Sequence, residues 1–512
     1  MIVLAAGEGT RMHSPNRPKV MHDFAGRSII GHVLASAEGL RAQQTVVVVG
    51  HQREQLSAHL AQIAPTVTTV VQAEQRGTGH AVAVALSAID RPTTDGPMTN
   101  GPITNVFGIE ADARGTVVVL LGDSPLLEPS TLLALVQHHE SAGAAVTMLS
   151  SIVDDPHGYG RVVRAPDDTA LAVVEERDAN PAERRIAEVA AGVYAFEYAF
   201  LRQAVRGLSA ANAQGEQYLP ELVTMSVAAG RPVQVMVASA EQTAGINDRV
   251  QLAAAAASYN RRLLERHMRA GVTVLDPATT WIDADVRLGV DVTLEPSTQL
   301  RGTTVIGAQA HIGPESTLTD TSVGERSRVH RTVAVGERIG ADVTVGPFAY
   351  LRPGTELADG VHIGTYVEVK GSDIGRGSKV PHLSYVGDAS IGEHTNIGAA
   401  TVFVNYDGVH KHRSVIGAYA RTGADNMFIA PVQVGDGAYT AAGSIITEDV
   451  PAGALGIARA RQQNRPGWVS RQRPGTAADR AADRADQSEL RPTDGPHPEP
   501  RELTDDQEGP PP

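Results

Sequence analysis

Cysteine is absent from this chain of 512 residues. That excludes disulfides, thiolate metal sites and cysteine nucleophiles, and it suits a reducing compartment. No apolar run reaches the roughly 18 residues of a membrane span. No basic stretch followed by an apolar core opens the chain, so no signal peptide is expected and the expected place of action is cytoplasmic. Basic residues are outnumbered. Forty-four Lys and Arg against 58 Asp and Glu give a formal net charge of −14, which argues against a duplex nucleic-acid binder with its basic face. A small anionic ligand remains possible, because a few local cations and backbone N–H groups suffice to hold phosphate.

The length exceeds what one hydrophobic core organises, and two to four domains are expected. Over residues 1–247 short apolar runs (2–6, 45–50, 67–71, 116–122 and 144–149) alternate with helical stretches such as 28–38 and 129–140. This alternation predicts a doubly wound α/β domain, a parallel sheet with helices on both faces. Residues from about 90 to 115, rich in Pro, Gly, Thr and Asn, read as a surface insertion. Residues 248–270 read as a linker helix, with Asp248 at its start and Gly271 just past its end.

Over residues 271–469 the pattern changes. Aliphatic-glycine pairs recur at Ile306-Gly307, Ile312-Gly313, Ile339-Gly340, Val345-Gly346, Ile363-Gly364, Ile391-Gly392 and Ile397-Gly398, several of them six residues or a multiple of six apart. A hexad with one aliphatic per unit predicts a triangular parallel β-helix: each hexad forms one side and its aliphatic points inward. Residues 470–512 are dense in Pro, Arg, Asp and Glu and poor in aliphatics, which predicts a disordered tail.

Chemistry concentrates in short motifs. Leu4-Ala5-Ala6-Gly7-Glu8-Gly9-Thr10-Arg11-Met12 runs from a strand into a glycine-rich turn, and Pro18-Lys19-Val20 follows. Backbone N–H groups at such a turn can face phosphates, with Arg11 and Lys19 adding charge. Asp123, in Leu121-Gly122-Asp123-Ser124-Pro125, follows an apolar strand at the carboxyl edge where open α/β sheets bind ligands. In the repeat half, Arg352 and Lys370 fall on successive coils, and Pro381-His382-Leu383-Ser384-Tyr385-Val386-Gly387-Asp388 and Asn405-Tyr406-Asp407-Gly408 follow. The scattered His311, His330, His362 and His394 predict no metal cluster, and no Ser-His-Asp triad is apparent.

The first motif resembles that of the sugar-1-phosphate nucleotidyltransferases. Gln72-Ala73-Glu74-Gln75-Arg76-Gly77-Thr78-Gly79-His80, the Asp123 motif, Gly158-Tyr159-Gly160-Arg161 and the repeat half narrow the likeness. Over residues 1–468 the chain resembles the bacterial bifunctional family of N-acetylglucosamine-1-phosphate uridylyltransferase/glucosamine-1-phosphate acetyltransferases. The resemblance implies that Leu4, Ala5, Ala6, Gly7, Gln72, Gly77 and Thr78 hold the uridine nucleotide, Lys19 contacts phosphate, Gly160 and Glu175 contact the sugar, and Asp123 and Asn247 bind Mg²⁺. One carboxylate and one amide oxygen, completed by water and phosphate, make a reasonable Mg²⁺ shell.

For the second reaction the resemblance implies that Arg352 and Lys370 bind the phosphate of glucosamine 1-phosphate, that Tyr385 and Asn396 line that site, and that His382 is the general base, with Glu368 orienting it. Asn405 is expected to donate a hydrogen bond to the developing oxyanion. Ala399, Asn405, Tyr406, Ala442 and Arg459 are implied in acetyl-CoA binding. The β-helix is implied to be left-handed and the assembly a homotrimer with its sites between neighbours, feeding peptidoglycan synthesis. The co-substrates are acetyl-CoA and UTP; no nucleic acid or membrane partner is expected. Three departures stand out: the chain opens directly on its first strand where the family has a few more residues, Ala190 stands where the family has a sugar-contacting Asn, and Ala424 where relatives often have Ser. Two other readings are a glucose-1-phosphate nucleotidyltransferase with a regulatory β-helix, which would lack the set His382, Asn405 and Tyr406, and a non-catalytic β-helix scaffold, which would have no need of Lys19, Asp123 and Asn247 together.

Overall fold

The computed structural model describes residues 1–90 and 115–489, with side chains to 486. The expected insertion therefore lies almost wholly outside the described residues. The chain forms two compact units, residues 1–457 and 458–512.

In the first unit, the apolar runs become the strands Ile2–Ala5, Val46–Val49, Thr68–Val71, Thr116–Leu121 and Val146–Ile152, with helices such as Ile29–Ala37 and Pro129–Ser141 between them. The first strand pairs in parallel with Val46–Val49 on one side and Thr116–Leu121 on the other. This places the ends of Ile2–Ala5 and Thr116–Leu121, and so the turns after them, side by side at one edge. The sheet is not wholly parallel, as the alternation suggested. The strand Glu188–Glu197 runs antiparallel between Thr116–Leu121 and Val146–Ile152. It enters from the hairpin Arg161–Arg164/Ala170–Val174 instead of a crossover helix, and a strand reached without a crossover returns antiparallel.

The helix Arg249–Arg269 is capped by Asp248, whose carboxylate accepts from Gln251 N at 2.8 Å. Its buried Leu263 and Leu264 join the core of the repeat half. Asn260, buried on the same helix, donates to Thr280 O at 2.8 Å and accepts from Ile282 N at 3.0 Å. Its amide thus stands in for a neighbouring strand at the exposed end of the first coil.

The repeat half is a left-handed parallel β-helix of three sheets. Corresponding residues stack coil on coil, as in Leu288, Ile306, Val323 and Ile339. The aliphatics of the hexads are buried in one continuous core. After Val404 the coil is interrupted by a loop carrying Asn405, Tyr406, Asp407 and Gly408 before Ser414–Ile416 resumes the ladder.

One interior position breaks its own pattern. Thr304, Thr321, Thr355 and Ser372 fill the same buried column, and Glu337 stands among them at 2% exposure. One carboxylate oxygen accepts from Thr355 N at 2.9 Å; the other is buried without a partner. Burial pushes this acid from 4.5 up to about 8, against the opposing effect of the Thr355 hydrogen bonds. A raised pKa in the folded state means that the unfolded chain ionises first. Stability is therefore lost between about pH 4.5 and 8, at up to roughly 1.4 kcal/mol per pH unit. Glu337→Gln is expected to remove this slope, with its melting temperature rising relative to wild type from pH 5 to pH 8. A difference that stays constant over that range would show that Glu337 is ionised in the fold.

In the second unit, the tail expected to be disordered from 470 is corrected over part of its length. Helices form at Trp468–Gln472 and Ala477–Glu489. The second reads AADRAADRADQSE; alanine and arginine favour helix without any core to pack against. Residues 490–512 lie outside the described residues. Among the described residues no helix is long and apolar enough to cross a membrane.

Candidate functional sites

At the edge of the α/β sheet, Ile2–Ala5 ends in the glycine-rich turn. Gly122 N donates to Leu4 O at 2.9 Å, and Gln75 Nε2 donates to Ala6 O at 2.9 Å, so the strand end is tied to both neighbouring motifs. Gly7 opens onto free space. Gly9 lies at φ +61°, where a Cβ would meet Lys19 Cβ at 2.6 Å; only glycine allows the turn to close over Lys19. Gln72 is buried and donates from Nε2 to Gly77 O at 3.1 Å, which shapes the turn at Gly77 (φ +98°). The Thr78 hydroxyl accepts from Leu219 N at 3.0 Å.

Lys19, Asp123 and Asn247 meet although far apart in sequence. Lys19 Nζ lies 2.5 Å from Asp123 Oδ2 and 3.3 Å from Asn247 Oδ1, and Arg11 Nη2 donates to the same Asn247 oxygen at 2.9 Å. The carboxylate and the amide oxygen thus face one cationic point. Such a donor pair suits Mg²⁺, which prefers oxygen and keeps water and phosphate in its shell. Among the described residues no group of three or more His, Cys, Asp or Glu could hold a metal ion. Asp123 and Asn247 alone would leave most of such a shell to water and phosphate.

Gly160, Glu175 and Ala190 form a second patch on this domain. Ala190 N donates to Gly160 O at 2.9 Å, and a Cβ on Gly160 would lie 3.3 Å from Glu175 Oε1. Burial pushes Glu175 up, with Asp178 and Glu216 acting in the same direction. Ala190 opposes Ser150 across the ladder, and Ser150 Oγ donates to Glu188 at 2.6 Å. An alanine methyl offers no hydrogen bond.

On the β-helix, consecutive coils stack Arg352 on Lys370 and Glu368 on Tyr385. Lys370 Nζ reaches both oxygens of Asp388 at 3.0 and 3.2 Å, which pushes Lys370 up. The expected contact of Glu368 with His382 is not made; Glu368 accepts from Arg352 Nη1 at 2.9 Å instead. Glu368 lies within one sheet, whereas His382 ends the strand Lys379–His382 of the next and pairs with Thr365. The His382 backbone is held by Ser384 Oγ and Ala400 N, which donate to its carbonyl at 2.7 and 3.1 Å, while the residue itself is exposed.

Asn405 is buried. Its Nδ2 donates to Asp388 Oδ2 at 2.6 Å and faces Tyr385 OH at 3.4 Å. One N–H of the expected oxyanion donor is thus engaged by the Asp388 carboxylate, which accepts only, and the other is directed at Tyr385 OH. Tyr406 is exposed, with its OH donating to Gly408 O at 2.6 Å. Asn396 lies on another face, bridging Lys379 and Arg421. Ala399, Ala424 and Ala442 stand on successive coils: Asp425 N donates to Ala399 O at 2.7 Å, Gly443 N donates to Ala424 O at 2.8 Å, and a Cβ on Gly423 would meet Ala442 N at 2.3 Å. Arg459 belongs to the second unit. The resemblance implies no role for Asp388. Its signal was the Gly387-Asp388 pair at a coil corner, where Asp388 takes φ +50°.

The family model of the MobA-like NTP transferase domain matches residues 1–191, and that of the bacterial transferase hexapeptide (six repeats) matches residues 338–371. Three relatives are each named bifunctional protein GlmU. The one from Streptomyces avermitilis is 53% identical over 94% of this chain and 96% of its own length. That from Thermobifida fusca is 54% identical over 95% and 97%, and that from Nocardia farcinica 50% over 95% and 95%. Sharing half its residues with proteins matched almost end to end, and carrying a nucleotidyltransferase domain ahead of hexapeptide repeats, the chain belongs to the bifunctional GlmU family, enzymes with uridylyltransferase and acetyltransferase activities in UDP-N-acetylglucosamine synthesis.

Proposed function

We propose that residues 1–247 carry uridylyl transfer and residues 271–469 acetyl transfer, joined by the linker helix 248–270. The observation that carries the reading is the meeting of Lys19, Asp123 and Asn247 at the sheet edge in a chain that also stacks Arg352, Lys370 and Tyr385 on its β-helix.

In acetyl transfer, Arg352 and Lys370 hold the phosphate of glucosamine 1-phosphate, Tyr385 and Asn396 line its site, and Ala399, Asn405, Tyr406, Ala424 and Ala442 line that of acetyl-CoA. His382 takes the proton from the amine as it attacks the thioester carbonyl, and CoA leaves. In uridylyl transfer, the phosphate of N-acetylglucosamine 1-phosphate attacks the α-phosphorus of UTP and pyrophosphate leaves. Leu4 to Gly7, Gln72, Gly77 and Thr78 hold the nucleotide, Gly160, Glu175 and the strand at Ala190 the sugar. Arg11 and Lys19 neutralise phosphate charge, and no protein nucleophile is needed. Asp123 and Asn247 hold Mg²⁺, which when bound neutralises further charge on the phosphates.

The assembly we propose is a homotrimer. One face of the β-helix turns Trp281, Val333, Tyr350, Met427 and Ile445 outward, each at least 40% exposed, on the sheet that also carries Glu368 and Tyr385. An apolar strip of this kind suits contact with a second copy. The split of the acetyl-transfer residues over two faces suits sites between copies. The place of action is the cytoplasm, where acetyl-CoA and UTP are available.

Incubation with glucosamine 1-phosphate, acetyl-CoA, UTP and Mg²⁺ tests the reading. Release of CoA together with UDP-N-acetylglucosamine is expected; CoA without UDP-N-acetylglucosamine would sink the uridylyl half, and absence of CoA would sink the acetyl half. Ala190→Asn is expected to lower KM for N-acetylglucosamine 1-phosphate by about 2–12-fold, the worth of one neutral hydrogen bond, and to leave KM for UTP unchanged. No change in either constant would overturn the idea of a simple missing contact at Ala190.

A further inference from the structure

Asp388 touches both halves of the acetyl-transfer site. Its oxygens accept from Lys370 Nζ at 3.0 and 3.2 Å and from Asn405 Nδ2 at 2.6 Å. One glycine clears the space for it and a second for its neighbours. A Cβ on Gly371 would lie 2.8 Å from Asp388 Oδ1; one on Gly387 would lie 2.4 Å from Tyr385 OH and 2.7 Å from Asn405 Nδ2. The corner itself is specialised, because Asp388 sits at φ +50°, a conformation that Asp tolerates better than most residues. Burial alone would push the carboxyl up, yet the hydrogen bonds from Lys370 and Asn405 hold it below the usual carboxylate range.

We propose that Asp388 is a positioning residue for acetyl transfer: it anchors the Lys370 ammonium and fixes the Asn405 amide with its N–H end toward Asp388 and its carbonyl oxygen turned away. The consequence is chemical. An amide free to flip presents donor or acceptor at random; here one N–H goes to the carboxylate and the other is directed at Tyr385 OH at 3.4 Å, which leaves Oδ1, an acceptor, for a substrate. Asn405 then receives an N–H or O–H donor from a substrate, such as the amine of the aminosugar, and does not stabilise an oxyanion. The lysine, tethered through two of its protons, keeps one for phosphate. The inference rests on the proposed assignment of Lys370 and Asn405 to this site.

The test uses the full chain, with uridylyl transfer measured on the same preparation as the control for folding. Asp388→Ala is expected to lower kcat for acetyl transfer by about 10–100-fold, the range for hydrogen bonds to a charged group, with uridylyl transfer unchanged. In the Asn405→Ala background the same substitution should cost little further kcat, because the effect runs through Asn405. Asp388→Asn keeps an acceptor for Asn405 but not the charge for Lys370. It is expected to change KM for glucosamine 1-phosphate several-fold with kcat within about 3-fold of wild type. Full additivity of Asp388→Ala with Asn405→Ala, or wild-type kcat in Asp388→Ala, would overturn the proposal. If Asp388→Ala also loses uridylyl transfer, Asp388→Asn decides, and unchanged kcat and KM there overturn it. Failure of the underlying assignment looks different: Asn405→Ala and Lys370→Ala would then leave acetyl transfer intact.

Discussion

His382→Ala is expected to cut acetyl transfer by about 10²–10⁴-fold, the usual contribution of a general base, and to leave uridylyl transfer at the wild-type level. An ammonium cannot attack a thioester, so a base must take its proton, and a histidine suits that task near neutral pH. The geometry favours His382. Its carbonyl is held on two sides, by Ser384 and by Ala400, and the residue lies exposed at the end of its strand. His362, on the preceding coil of the same sheet, shares its surroundings. Burial, together with the charges of Lys379 and His382, pushes His362 down. Glu368 gives no support, being paired with Arg352; Glu368→Gln should therefore disturb sugar-phosphate binding more than proton transfer. Loss of acetyl transfer alone marks the base, whereas equal loss of both activities in a folded protein would sink the assignment.

Much of this architecture is legible in the sequence because its signals are local. Valine-rich runs such as 46–49 have one reading as a buried strand, and a hexad aliphatic has one as the inside of a coil. What escapes is pairing at a distance. The reversed direction of Glu188–Glu197 depends on the hairpin before it, not on its own residues. Glu368 and His382 share a motif neighbourhood, but adjacent sheets of the β-helix separate them. Asp388 acquires its place through Lys370, one coil away, and Asn405, which follows the strand Val402–Val404. The tail misleads for another reason. Low burial capacity argues against a packed core but does not forbid a helix built of alanine and arginine.

Asp123→Asn is expected to lower uridylyl transfer by roughly 10²–10³-fold, the scale for losing one preorganised electrostatic contact, while acetyl transfer continues. Asp123 is the only carboxylate assigned to the Mg²⁺ position, and it also holds Lys19 Nζ at 2.5 Å. The substitution therefore removes two things, the charge that attracts the cation and the partner that places Lys19. Shape is nearly unchanged, since an amide replaces a carboxylate and the backbone contact of Ile246 N to Asp123 O at 2.8 Å does not involve the side chain. The two losses can be told apart. If the cation is the larger, raising Mg²⁺ should recover part of the rate in Asp123→Asn but none in Lys19→Ala. If placement of Lys19 is the larger, both variants should resist rescue and share a raised KM for UTP. A direct binding measurement with UTP and Mg²⁺ adds a readout free of turnover, with weakened Mg²⁺ dependence expected for Asp123→Asn alone. Wild-type uridylyl transfer by Asp123→Asn at low Mg²⁺ would place the cation elsewhere and leave the Lys19–Asp123 pair as a structural contact.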